Sequence, residues 1–116
     1  MVLRSERPAS ASGLTVVQGT VAVKVVLMGE LRQLAGRRDW HLEFPQGSTV
    51  RTLLKELSSR CGTAFAQHAL TREGDPHPHV AVFVNGEDIR QLQGTRTVLT
   101  GGQVELFMVP INEGGN

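Results

Sequence analysis

Cysteine is nearly absent: Cys61 is the only one in 116 residues. An internal disulfide and a cysteine-built zinc cage are thereby excluded, and a reducing compartment, the cytoplasm, is expected. Long apolar runs are missing too. None approaches the roughly 20 residues that span a bilayer, and the first residues lack the apolar core of a secretory signal. Charge of one sign is also missing. Lys and Arg number 12 against 11 Asp and Glu, a formal net charge of +1, which leaves no global electrostatic footprint for nucleic acid. The stretch from Gly13 to Gly19 lacks the Lys-Ser/Thr ending of a phosphate-binding loop. No Ser/His/Asp ordering stands out, so no constellation supports an independent enzyme. What remains is an ordinary globular composition, 40% apolar with 13 glycines, sized for one domain that buries roughly two-thirds of its unfolded surface.

Residues 1–19 alternate small and polar side chains without a 2.0 or 3.6 period before Leu14, and read as a flexible extension. Residues 20–110 read as the folded domain and 111–116 as a flexible tail. Val21 to Met28 places Val21, Val23, Val25 and Leu27 on one face of a strand. Gly29 to Arg38 reads as a polar connection that turns at Gly36. Asp39 to Phe44 alternates with Trp40, Leu42 and Phe44 inward, a second strand with one wet face, paired with the first as an antiparallel hairpin. Ser48 or Thr49 then caps a helix whose Val50, Leu53, Leu54 and Leu57 follow i, i+3, i+4, i+7, and Gly62 stands at its C-cap. Residues 62–79 are a long connection holding a short helical turn near Phe65 to Leu70, followed by the irregular Asp75-Pro76-His77-Pro78.

His79 to Asn85 is the third strand, and Asn85-Gly86 is a turn signal. A polar segment with two apolar anchors, Ile89 and Leu92, follows, then a short extended piece at Thr97-Val98-Leu99 and a last strand from Val104 to Val109. The order β-β-α-β-(short β)-β predicts an α+β domain with one main helix on a mixed four- to five-stranded sheet. The apolar first and last strands suit central positions, which is the β-grasp, or ubiquitin-like, arrangement.

Several segments resemble the small sulfur carriers of the ThiS/MoaD group. They are Val23-Lys24-Val25, Leu31-Arg32-Gln33-Leu34-Ala35-Gly36, Ser48-Thr49-Val50 with its leucines, Val84-Asn85-Gly86-Glu87-Asp88-Ile89-Arg90, and Phe107-Met108-Val109-Pro110 running into Gly114-Gly115. The resemblance is nearest to the molybdopterin-type and cysteine-biosynthesis carriers. Two departures stand out: Gly102-Gln103 where members usually have Gly-Asp, and Asn116 after the second glycine.

The resemblance implies a carrier, not a catalyst. Gly115 would be adenylated by a ubiquitin-activating-type enzyme that uses ATP, then converted to a thiocarboxylate, while the chain itself binds no cofactor. Gly114 would allow the tail to pass into a narrow site, because glycine has no Cβ. A peptidase would first have to remove Asn116. The sulfur would go to the large subunit of molybdopterin synthase; delivery for cysteine or thiamine synthesis, or a ubiquitin-like modifier or interaction domain, are the alternatives. Leu106 and Met108 can face the helix, which turns Phe107 and Val109 the other way. These two are either a partner-binding surface, which would take in Pro110 and Ile111 as well, or covered by residues 62–79. His77, His79 and Asp75 read as a solvated loop and not a metal site, and Cys61 as a packing residue and not a nucleophile.

Overall fold

The computed structural model describes residues 19–111. The extension assigned to 1–19 and the tail assigned to 111–116 therefore lie, apart from Gly19 and Ile111, outside the described residues. Alternation in the first apolar run produces β1 (Thr20–Leu27), whose Val21, Val23, Val25 and Leu27 are buried. β2 (Asp39–Pro45) pairs with it antiparallel, Val25 opposite Trp40 and Val23 opposite Leu42.

Between them the expected polar connection is a helix, α1 (Gly29–Ala35). Leu31 is fully buried and Ala35 packs against the core, while the Gly36 amide donates to the Arg32 carbonyl at 3.0 Å. Two turns with one buried side chain are too short to show a helical period, so burial of Leu31 decides the conformation.

α2 (Val50–Cys61) buries Val50, Leu53, Leu54 and Leu57 on the expected stripe. Of the two candidate caps, Thr49 is the one: its hydroxyl accepts from the Thr52 amide. Ser48 instead donates to the Pro45 carbonyl at 2.8 Å. Thr49→Ala is expected to lower stability by about 1 kcal/mol, and Thr49→Ser to restore it, both read from urea-unfolding midpoints.

Gly62 joins α2 directly to α3 (Thr63–Ala69), longer than the single turn expected. Phe65 and Ala69 point into the core and are buried. The loop beyond it is tied to α2 by Arg51, which donates to the Glu73 carbonyl at 2.7 Å and to Asp75 at 3.0 Å.

β3 (Val80–Val84) turns through Asn85 at φ 50° and Gly86 at φ 88° into β4 (Glu87–Asp88). Positive φ at both central residues is the geometry that follows the twist of a two-residue hairpin. The fifth strand is thus Glu87–Asp88, and not the expected Thr97-Val98-Leu99. That piece bridges to the start of α2 instead, Thr49 opposite Val98, with the Leu99 amide donating to the Ser48 carbonyl. Ile89 is a buried anchor as expected, whereas Leu92 stays 38% exposed. The turn at Ile89–Gln91 points it outward.

β5 (Gln103–Pro110) closes the sheet in the order β2-β1-β5-β3-β4. It runs parallel to β1 and antiparallel to β3. The first and last strands are therefore neighbours inside the sheet, and the three α-helices among the described residues, with one main stripe, cover a single face: the β-grasp arrangement. Leu106 and Met108 lie under that helical layer with no exposed surface, and each such burial contributes about 1.5–3 kcal/mol. No helix among the described residues is long and apolar enough to cross a membrane.

Candidate functional site

Strand alternation decides which β5 side chains remain available. With Leu106 and Met108 committed to the core, Phe107 and Val109 lie on the helix-free face, both partly accessible. Register then assembles a row across the whole sheet. Phe107 pairs with Val26 of β1 and Phe83 of β3; Val26 pairs onward with Asp39 of β2, and Phe83 with Asp88 of β4. The centre of the row is apolar and its two ends are acidic. Ala81 opposite Val109 extends the apolar part towards Pro110.

Each acidic end is already neutralised by an arginine, Asp39 by Arg38 at 3.5 Å and Asp88 by Arg90 at 2.7 Å. Hydrogen bonds from the Arg90 side chain and amide hold the Asp88 carboxyl below the usual carboxylate range. Further from the tail the same face becomes charged. His41, Lys24 and Glu105 form the adjacent row, and a groove of about 880 Å³ runs past them to Glu43 and Gln103.

Residues 62–79 do not cover this face. Phe65 and Ala69 insert α3 into the core on the helical side, and α3 packs against α1 and α2. Sequence reasoning found Phe107 and Val109 but not Val26, Phe83, Asp39 or Asp88. The signal for Val26 was the unbroken Val25-Val26-Leu27, all buried, which departs from the alternation expected of a strand with a wet second face.

Pro110 and Ile111 form the root of the tail. The Ile111 amide donates to the His79 carbonyl at 2.7 Å, one residue beyond the last strand pair, Val80 with Pro110. Gly114, Gly115 and Asn116 lie outside the described residues.

His77 and His79 stack at 5.2 Å, and His68, which no sequence pattern singled out, meets His79 edge-on at 5.1 Å. Its other partner is Glu30 at 3.1 Å, 38 residues away in the chain, a separation no local spacing reveals. Asp75 is occupied by Arg51 and by the Thr95 hydroxyl. Among the described residues, no group of three or more His, Cys, Asp or Glu is placed to hold a metal ion.

Burial pushes the Cys61 thiol up to about 11, against a smaller opposing pull from Arg37. At pH 8 the thiolate is then a very small fraction. Iodoacetamide is expected to label the folded protein on the order of a hundredfold more slowly than the urea-unfolded chain. Equal rates would show an accessible, ordinary thiol.

Comparison with known proteins agrees with this architecture. The profile of the ThiS family matches residues 25–115. A curated protein of Archaeoglobus fulgidus named as a sulfur carrier is 34% identical over 67 residues, covering 58% of this chain and 74% of its own. Three solved structures superpose well. Small archaeal modifier protein 1 of Methanosarcina acetivorans is 25% identical at a TM-score of 0.67, covering 83% of this chain and 98% of its own. The BexX/CysO complex of Amycolatopsis orientalis is matched at 28% identity and a TM-score of 0.65, covering 81% and 100%. A Pyrococcus furiosus protein named as molybdopterin converting factor subunit 1 is matched at 25% and 0.60, covering 79% and 99%. Topology, profile and curated relative agree: the chain belongs to the ThiS family of small sulfur-carrier proteins.

Proposed function

We propose that this chain carries sulfur on Gly115 and delivers it for molybdopterin, and hence molybdenum cofactor, biosynthesis. The observation that carries the reading is the placement of the apolar row Val26–Phe107–Phe83 beside the root of a diglycine tail, within a family match that runs to Gly115. The accessible part of the row, Phe107 and Phe83 over the buried Val26, docks with Val109, Pro110 and Ile111 on a ubiquitin-activating-type enzyme. Once a peptidase has hydrolysed the Gly115–Asn116 amide, the freed Gly115 carboxylate attacks the α-phosphorus of ATP held by that enzyme, and pyrophosphate leaves. Hydrosulfide, supplied by the sulfur donor, then attacks the acyl carbon, AMP leaves and a proton is lost, which gives the thiocarboxylate. The chain supplies the docking surface and the carboxylate; it holds no cofactor of its own. Gly114 lets the backbone approach the nucleotide closely because it has no Cβ. A cytoplasmic setting suits a thiocarboxylate that must stay reduced.

The likeness to the Pyrococcus protein supports the large synthase subunit as acceptor. The BexX/CysO match supports a second reading, in which the same thiocarboxylate serves another acceptor such as cysteine synthesis. The modifier match supports a third, conjugation of Gly115 to lysine.

Intact mass separates these after the form ending at Gly115 is incubated with an adenylating enzyme, ATP and a sulfur donor. Exchange of one oxygen for sulfur is the expected result, and consumption of that sulfur by a large synthase subunit assigns the acceptor. An isopeptide adduct in place of the exchange would overturn the carrier reading.

A further inference from the structure

We infer that His79, braced by His68 and His77, and Gly29 are positioning residues that fix the direction in which the tail leaves the domain; this rests on the carrier reading above. The final β3–β5 pair is Val80 with Pro110, yet the chain is held one step further by the Ile111 amide on the His79 carbonyl at 2.7 Å. That carbonyl is itself held in place. The His77 amide donates to the Ala69 carbonyl, and the Val80 amide to the His77 carbonyl, each at 2.9 Å.

The His79 ring lies almost parallel to His77, with 19° between planes, and edge-on to His68. Its Nε2 is buried with no hydrogen-bond partner among the described residues. The contacts with His77 and His68 hold the ring in place beside the root of the tail. Glu30 of α1 in turn anchors His68.

From the other side, Gly29 sits at φ 58°, where a Cβ would stand 2.8 Å from Pro110 Cγ. The proline ring cannot swing aside as a flexible side chain would. α1, α3 and the start of β3 thus converge on Pro110 and Ile111, four residues before the Gly115 carboxylate.

Only four residues separate Ile111 from the Gly115 carboxylate, so each residue fixed at the root is a sizeable part of what remains to be ordered. A root ordered in advance removes one residue's backbone freedom from what threading must otherwise restrain, a factor of about ten in rate.

The test uses the chain ending at Gly115 with its adenylating enzyme, follows ATP–pyrophosphate exchange, and varies the carrier concentration. His79→Ala and Gly29→Ala are expected to lower kcat about tenfold and to change KM for the carrier less, because Phe107, Phe83 and Val109 of the docking surface are untouched and only its Pro110 and Ile111 end shifts. His79→Phe, which keeps a ring without the imidazole nitrogens, is expected to restore kcat. Amide exchange at Ile111 gives a readout independent of activity: protection is expected to fall in His79→Ala and to persist in His79→Phe. Unchanged kcat or unchanged Ile111 protection in His79→Ala would overturn the inference. If the unmutated chain is not activated at all, the carrier reading fails, and Ile111 exchange alone decides whether the His79 ring holds the root.

Discussion

Purified chains of residues 1–115 and 1–116 are expected to differ all but completely in sulfur uptake, the shorter converted to thiocarboxylate and the longer unchanged. The reason is the chemistry of the acyl group. Adenylation needs a carboxylate oxygen as nucleophile. With any residue attached after Gly115, its carbonyl belongs to an amide, whose oxygen is a poor nucleophile and whose carbon has no group to lose. The carboxylate of the longer chain sits on Asn116, one residue further along and carrying a Cβ and an amide side chain into a site fitted to glycine. A difference of at least a hundredfold follows, the scale expected when a reacting group is displaced by even a fraction of a residue length. The measurement is intact mass after incubation with an adenylating enzyme, ATP and a sulfur donor. Equal conversion of the 1–116 chain, with Asn116 retained, would show that a free glycine carboxylate is not required. Adding a peptidase that releases Asn116 should bring the longer chain to the behaviour of the shorter one.

That prediction draws on the sequence alone, and the reach of such reading varies along the chain in a physically consistent way. β1, β2 and α2 were legible because each buries one face along its whole length, so period 2 or 3.6 is written into Val21–Leu27, Trp40–Phe44 and Val50–Leu57. α1 was not, because Leu31 is its only fully buried side chain. The same limit explains β4. Two residues, Glu87–Asp88, join the sheet because the Asn85-Gly86 turn aims them at β3, not because they favour a strand.

The candidate site divides likewise. Alternation placed Phe107 and Val109 on the face opposite Leu106 and Met108, as the structure has them. The row from Asp39 to Asp88 depends on register between five strands. Register is set by how the core side chains interlock across the sheet, and one residue's slip would turn every side chain to the other face. The His68–His79–His77 stack also arises from tertiary packing, where α3 meets the start of β3.

Phe107→Asp is expected to weaken binding of the adenylating enzyme by about thirtyfold or more while leaving the fold standing. Phe107 is the centre of the apolar row, flanked by Val26 and Phe83, and a partly exposed aromatic at the middle of an apolar patch is where binding energy concentrates. Truncating such an anchor costs about 2 kcal/mol or more, and about 1.4 kcal/mol is a factor of ten in affinity. Aspartate adds to that loss. Docking would bury a carboxylate between Phe83 and the partner, and the two arginines beside the ends of the row, Arg38 and Arg90, already pair with Asp39 and Asp88. Stability should change much less. The main core lies on the other face, where Leu106 and Met108 are fully buried, and the strand loses about 1 kcal/mol from the poorer β propensity, with a further part from the half-buried ring that covers Val26. The two effects are separable by measuring Kd at a temperature well below the variant's unfolding midpoint, with Phe107→Ala as a milder companion. For both variants the thiocarboxylate yield at saturating enzyme should approach that of the unmutated chain, because the tail chemistry is intact. A Phe107→Asp chain that unfolds would place the residue in the core. A folded one with unchanged Kd would move the docking surface elsewhere, the charged groove at Lys24, His41 and Glu105 being the next face to mutate.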